Sequence, residues 1–233
     1  DYQTIRTNLG LLTDGGMPKR LAVCSPGMRE GKTTFAVNLA TSLAKSGKKV
    51  LLIDGDLRKP DVRYMLNVPN GSGGVQEVLL GEDPSGIICA VPGSGLHVLA
   101  ANARSLADPY ELLASSKAAE QIDKIGREYD HVIVDTPPAL AFPDAIVWAK
   151  LTDAVVLVGF AGQTTAPDLA EARDRFTRVR ARVVGAILSN VRADQSLYRY
   201  NYGYRTRTTP VRKAARQRKM LLSPQGQDDS AEA

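Results

Sequence analysis

The stretch "SPGMREGKTT", residues 25 to 34, closes on Gly31, Lys32 and Thr33. That order of residue types suits the binding of phosphate. Glycine lets backbone amides approach closely, a lysine ammonium reaches the β and γ phosphates, and a threonine hydroxyl ligates Mg²⁺. The strict phosphate-loop pattern has a glycine six residues before the lysine; here Pro26 stands there and Gly27 follows. Proline removes one amide, yet those of Gly27, Met28, Arg29, Glu30, Gly31, Lys32 and Thr33 remain to form the cradle. A helix opening at Thr33 and Thr34 adds its positive dipole end. A glycine-rich turn of no special purpose is the plainer alternative, and the placement between a strand-like and a helix-like segment argues against it.

Two further segments supply carboxylates. In "LLIDGDLRKP" (51 to 60), Asp54 and Asp56 alternate, so on an extended chain they point the same way. They lie at the carboxyl end of a strand, where α/β sheets place ligands. Such a pair suits Mg²⁺ and a hydroxyl to be deprotonated, although a DGD sequence alone is also a common solvated turn. In "VIVDTPP" (132 to 138), Asp135 follows an apolar run in the manner of a metal-binding Walker B carboxylate. Three acids at strand ends beside a phosphate loop point to phosphoryl chemistry.

The elements that must hold these residues alternate along the chain. "RLAVCS" (20 to 25), "KVLLID" (49 to 54), "GLHVLAA" (95 to 101), "HVIVD" (131 to 135), "DAVVLVGF" (153 to 160) and "RVVGAILS" (182 to 189) read as strands. Residues 33 to 47, 108 to 129, 143 to 151 and 167 to 180 carry helical periodicity. Apolar strands separated by helices predict an α/β fold, a mostly parallel sheet with helices on both faces. Residues 67 to 95 read as loops with one short helix. No GxGxxG opens the first helix, which argues against a dinucleotide-binding dehydrogenase.

The 233 residues carry a formal charge of +5, distributed unevenly. Residues 1 to 191 hold 21 basic and 21 acidic side chains, whereas residues 192 to 219 hold nine basic and one acidic. A neutral body argues against a nucleic-acid-binding protein, while the tail alone suits phosphate or an anionic surface. The first residues lack the basic and apolar regions of a signal peptide, and no apolar run approaches the roughly 20 residues of a membrane helix. Two cysteines allow at most one bridge, and free thiols in a reducing compartment fit better. The organisation expected is a catalytic domain over 1 to 191, a tyrosine cluster over 192 to 205 and a disordered tail over 206 to 233.

That cluster, "LYRYNYGYR", sets Tyr198, Tyr200, Tyr202 and Tyr204 one residue apart. Alternation with period two is also the pattern of an edge strand. A buried face made only of tyrosines would need a partner for every hydroxyl, and Asn201 and Gly203 weaken a strand.

Taken together, "SPGMREGKTT", "LLIDGDLRKP", "VIVDTPP" and the tyrosine cluster resemble the bacterial tyrosine kinases attached to capsule and exopolysaccharide export machinery. Lesser matches are "IRTNL" (5 to 9), "DPYELLAS" (108 to 115) and "GAILSNV" (185 to 191), so that the resemblance spans residues 2 to 204. It implies a P-loop NTPase fold of the deviant Walker A, MinD-like type, with ATP and Mg²⁺ as cofactors. It implies autophosphorylation of Tyr198, Tyr200, Tyr202 and Tyr204 between neighbouring subunits. Lys32 and the loop amides would hold the ATP phosphates; Thr33 and Asp56 would bind Mg²⁺, with Asp135 acting directly or through water. Asp54 would orient the incoming tyrosine hydroxyl or accept its proton, and Asn190 is similar to an asparagine that contacts adenine in related ATPases. Arg58 is open between supporting the γ phosphate or a partner subunit and serving as an ordinary surface arginine.

The resemblance also implies partners: a ring-like homo-oligomer, a membrane polysaccharide co-polymerase segment or activator, and a cognate tyrosine phosphatase. The location implied is the cytoplasm, at the inner face of the bacterial plasma membrane. The family's N-terminal helix carries an acid and two arginines for packing between subunits. Here Arg6 matches the second arginine, Gln3 replaces the first, and the acid would precede Asp1, so the ring is expected to be weak in isolation. A start inside this motif fits a fragment of a membrane-anchored polypeptide, or equally a separate soluble kinase needing a membrane activator. The rival reading is a MinD- or ParA-type ATPase switch. Such switches usually carry a second lysine five residues before the P-loop lysine, where this chain has Gly27.

Overall fold

The computed structural model describes residues 2–12, 16–69, 73–102 and 108–191. In chain order the elements are α1 (Tyr2–Leu11), β1 (Arg20–Cys24), α2 (Lys32–Ala44), β2 (Val50–Asp54), α3 (Val62–Met65), α4 (Val75–Leu80), β3 (Cys89–Val91) and β4 (Leu96–Leu99). There follow α5 (Pro109–Ala114), α6 (Ser116–Glu128), β5 (His131–Asp135), α7 (Asp144–Leu151), β6 (Ala154–Phe160), α8 (Ala166–Arg178) and β7 (Val183–Ser189). The strands form one sheet in the order β3-β4-β2-β5-β1-β6-β7. Every pairing is parallel except that of β3 with β4. The mostly parallel α/β sheet expected from the sequence is present. The tail from residue 192, including all four clustered tyrosines, lies outside the described residues.

Central strands are apolar on both faces because both faces are covered. Along β2, Val50 and Leu52 join the core beneath α2, while Leu51 and Ile53 join the core on the other face with Leu79, Leu113 and Ile122. β6 divides the same way, Val156 and Val158 to the α2 side, Val155 and Leu157 toward Phe176 of α8. On the α2 side, α1 completes the cover: Leu9 is buried, the Tyr2 and Phe35 rings lie 5.9 Å apart, and Arg6 donates to the Ser42 carbonyl at 3.1 Å.

Two elements depart from the sequence reading. The run from 108 to 129 is two helices, because Ser115 adopts an extended conformation and caps the second, accepting the Ala118 amide at 3.1 Å. Residues 67 to 95, read as loops with one helix, contain the edge strand β3, which turns back into β4 through Pro92–Gly95. Three residues are too few to show period-two alternation.

Candidate active site

The site is assembled at the carboxyl ends of β1, β2 and β5. In the register of β2 and β5, Asp54 lies directly beside Asp135. Strand alternation puts Asp54 two residues past Leu52 and Asp135 two past Ile133, so both carboxyls point to the face on which α2 lies. β1 leads into the phosphate loop, and α2 opens at Lys32 behind Gly31, whose φ of +85° is a conformation that favours glycine. A Cβ on Gly31 would lie 3.2 Å from Ser189 Oγ at the end of β7. Loop, helix start and strand ends border a cleft of about 790 Å³.

Within it Lys32 Nζ lies 3.3 Å from Asp56 Oδ2. Burial works against the Lys32 ammonium, but Asp135 and Asp56 outweigh it and hold the group above its ordinary value. Burial pushes Asp135 up to about 7; Lys32 opposes this, and so does the Thr33 hydroxyl, which is close enough to act on the charge but short of hydrogen-bond geometry. Asp54 is held well above the carboxylate range by burial and then by Asp135, against a 3.1 Å hydrogen bond from the Val62 amide.

Both Asp135 oxygens and Asp54 Oδ1 are buried without a hydrogen-bond partner among the described residues. Orphaned buried oxygens call for an explanation, and the binding of a cation is a physical one. No three His, Cys, Asp or Glu side chains among the described residues converge into a ready-made cage. That is compatible with Mg²⁺, which keeps several waters and takes one or two carboxylates together with substrate phosphates. Thr33, Asp56 and Asp135 therefore fit the ion.

The structure brings Gly27, Met28, Arg29, Glu30, Gly31, Lys32, Thr33 and Thr34 together with Asp54, Asp56 and Asp135. Asn190 stands apart from the cleft lining, exposed, with φ of +55° just after β7. Arg58 is no ordinary surface arginine. It lines the cleft, donates through Nε and Nη2 to the two carboxyl oxygens of buried Asp144 at 2.6 and 3.0 Å, and stacks 4.7 Å from the Phe142 ring centre. Sequence reasoning missed Asp144, 86 positions away, because only its place in a helix was legible. It also missed Gly55, whose amide donates to the Asp135 carbonyl at 2.7 Å and whose carbonyl accepts Trp148 Nε1 at 2.9 Å.

The sheet order, the loop and the strand-end acids define a P-loop nucleoside triphosphatase fold. Residues 28–163 match the AAA domain family. The chain is 34% identical over 203 residues to the tyrosine-protein kinase YwqD of Bacillus subtilis (strain 168), covering 87% of this chain and 84% of that protein. It superposes on the VpsO kinase domain with a TM-score of 0.74 at 34% identity, covering 81% of this chain and 93% of that one. The septum site-determining protein MinD of Pyrococcus horikoshii, solved with Mg-ADP, superposes with a TM-score of 0.64 at 24% identity over 74% of this chain and 70% of that one, a likeness of fold. The chain belongs to the bacterial tyrosine-protein kinases and is a protein-tyrosine kinase. No helix among the described residues is long and apolar enough to cross a membrane.

Proposed function

We propose that this kinase transfers the γ-phosphoryl group of ATP to the hydroxyls of its own Tyr198, Tyr200, Tyr202 and Tyr204, from one subunit to the tail of another. The observation that carries the reading is the pairing of half-buried Lys32 with buried Asp56 beside two further carboxyls with unpartnered oxygens. Lys32 and the loop amides stabilise charge on the phosphates, the main contribution in a reaction that asks little covalent chemistry of the protein. Asp54, whose carboxyl is held well above the carboxylate range by burial and then by Asp135, is assigned the proton of the entering phenol. Thr33, Asp56 and, directly or through water, Asp135 would hold Mg²⁺, which supplies neutralisation of charge on the transferring group. Asn190 is assigned to the adenine edge, on the family resemblance alone.

The same resemblance supports a weak ring-like homo-oligomer, a membrane co-polymerase segment or activator at the inner face of the plasma membrane, and a cognate phosphatase. The outcome proposed is control of capsular or extracellular polysaccharide synthesis and export. The test mixes a Lys32→Met protein, which retains the tyrosines, with an active protein in which all four are Phe. Phosphotyrosine is then mapped by mass spectrometry. Label is expected on the tail of the Lys32→Met partner; its absence there, with the active wild type labelled, removes transfer between subunits.

A further inference from the structure

The phosphate loop contains a carboxyl group whose two oxygens are both engaged by hydrogen bonds. Glu30 is 3% exposed. Its Oε2 accepts the Gly27 amide at 2.6 Å, and its Oε1 accepts the hydroxyl of Thr164, 134 positions later. Thr164 Oγ in turn accepts the Phe160 amide at 2.7 Å, so the hydroxyl is spent on both sides. Two more distant side chains grip the same loop. Gln163 Nε2 donates to the Met28 carbonyl at 3.1 Å, and Ser189 Oγ sits between the carbonyls of Glu30 and Gly159 at 3.1 and 3.0 Å.

Between these grips Arg29 holds a φ of +60°. For a residue with a Cβ that conformation is disfavoured, and it persists only where the surroundings over-determine it. From these contacts we infer that Glu30 is a positioning residue. It fastens the phosphate loop to the turn after β6 through Thr164, and in doing so removes the Gly27 amide from the set offered to phosphate. The amides that remain free to converge on the nucleotide are those from Met28 to Thr33. The aim of those amides depends on the left-handed turn at Arg29, which the latch maintains before any nucleotide arrives. Glu30 touches no reacting atom in this role; it acts through the loop.

The inference rests on the nucleotide reading given above and is tested on binding as well as turnover. Calorimetric titration of ADP with Mg²⁺ is compared across wild type, Glu30→Ala, Glu30→Gln, Thr164→Val and the double variant Glu30→Ala with Thr164→Val. Loss of the latch frees a loop that must be re-ordered on binding, so Glu30→Ala is expected to raise the Kd about tenfold and the KM for ATP in parallel, with kcat changed by less than about threefold. Thr164→Val is expected to give a smaller rise. The double variant should bind no worse than Glu30→Ala alone, because both act on one contact. Glu30→Gln keeps an oxygen for the Gly27 amide and should recover most of the affinity; together with Thr164→Val it decides the matter if Glu30→Ala does not fold. Equal Kd in wild type and all variants, or simple additivity in the double variant, overturns the latch alone. A wild type that binds no ADP overturns the nucleotide reading and the latch with it.

Discussion

Asp54 and Asp56 share a motif but occupy different environments, and their substitutions should differ accordingly. Asp56 is paired with Lys32, whereas Asp54 is 0% exposed with one oxygen lacking a partner. Replacing Asp54 by Asn removes the cost of burying a carboxyl and sets an amide donor beside Asp135, its neighbour across the strands. The Asp54→Asn protein is expected to gain thermal stability, about 2–4 °C for each kcal/mol relieved in a chain of this size, while phosphotransfer falls by at least about 100-fold. Its affinity for ADP with Mg²⁺ should stay within about threefold of wild type, and Asp56→Asn should lose considerably more. Calorimetry and thermal melts decide this: equal loss of affinity in both variants, or a lowered melting point for Asp54→Asn, removes the division of roles. Gain of stability with loss of activity is the signature expected of a strained functional group.

At the scale of elements, the positions of β2, β5 and α7 depend on one glycine. A Cβ on Gly55 would lie 2.6 Å from the Asp135 carbonyl oxygen and 2.8 Å from the Trp148 ring, so neither strand nor helix can stay where it is. Trp148 is fully buried and has no room to retreat. Gly55→Ala is therefore expected to cost about 1–3 kcal/mol in chemical denaturation, the usual range for overpacking. It should also weaken nucleotide binding, because the β2–β5 register that places Asp54 beside Asp135 is disturbed. Unchanged denaturation midpoint in Gly55→Ala would show that the contact is not tight. Arg58 belongs to this scale too. Its bidentate grip on Asp144 joins the segment after β2 to the start of α7.

For the whole molecule the relevant quantity is charge. Residues 192 to 219 hold nine basic side chains against one acidic, beside a body of residues 1 to 191 that is balanced. Each phosphotyrosine adds about −1.5 to −2, so modification of four tyrosines brings the tail close to neutral. The basic tail is expected to be drawn to a cleft lined by Asp56 and Asp61 that receives nucleotide phosphates, and a phosphorylated tail to be repelled by it. Light scattering at low ionic strength, where such forces are least screened, should show wild type dissociating in ATP and Mg²⁺ as phosphate accumulates. The protein with all four tyrosines changed to Phe should stay associated. Association of the fully phosphorylated protein as strong as that of the unmodified one would sink the charge argument and leave the kinase assignment standing.

What the sequence determined by itself were the features whose physics is local. Period-two and unbroken apolar runs identified β1, β2, β4, β5, β6 and β7, and the spacing of Gly31, Lys32 and Thr33 identified the loop, because each depends only on neighbouring residues. The three aspartates were legible as strand ends. Ser115 carried a capping signal that was absorbed into a longer helical run, and the three residues of β3 were too short to show a period. Only the tertiary structure decided that Asp54 and Asp135 are register neighbours, since strand order is set by packing between segments some 80 residues apart. The partners of Arg58 and Glu30, Asp144 and Thr164, lie 86 and 134 positions away, and no local pattern selects them. A buried hydrogen bond between distant side chains is specified by the shape of the completed core, which exists only once the sheet and its helices have closed around it.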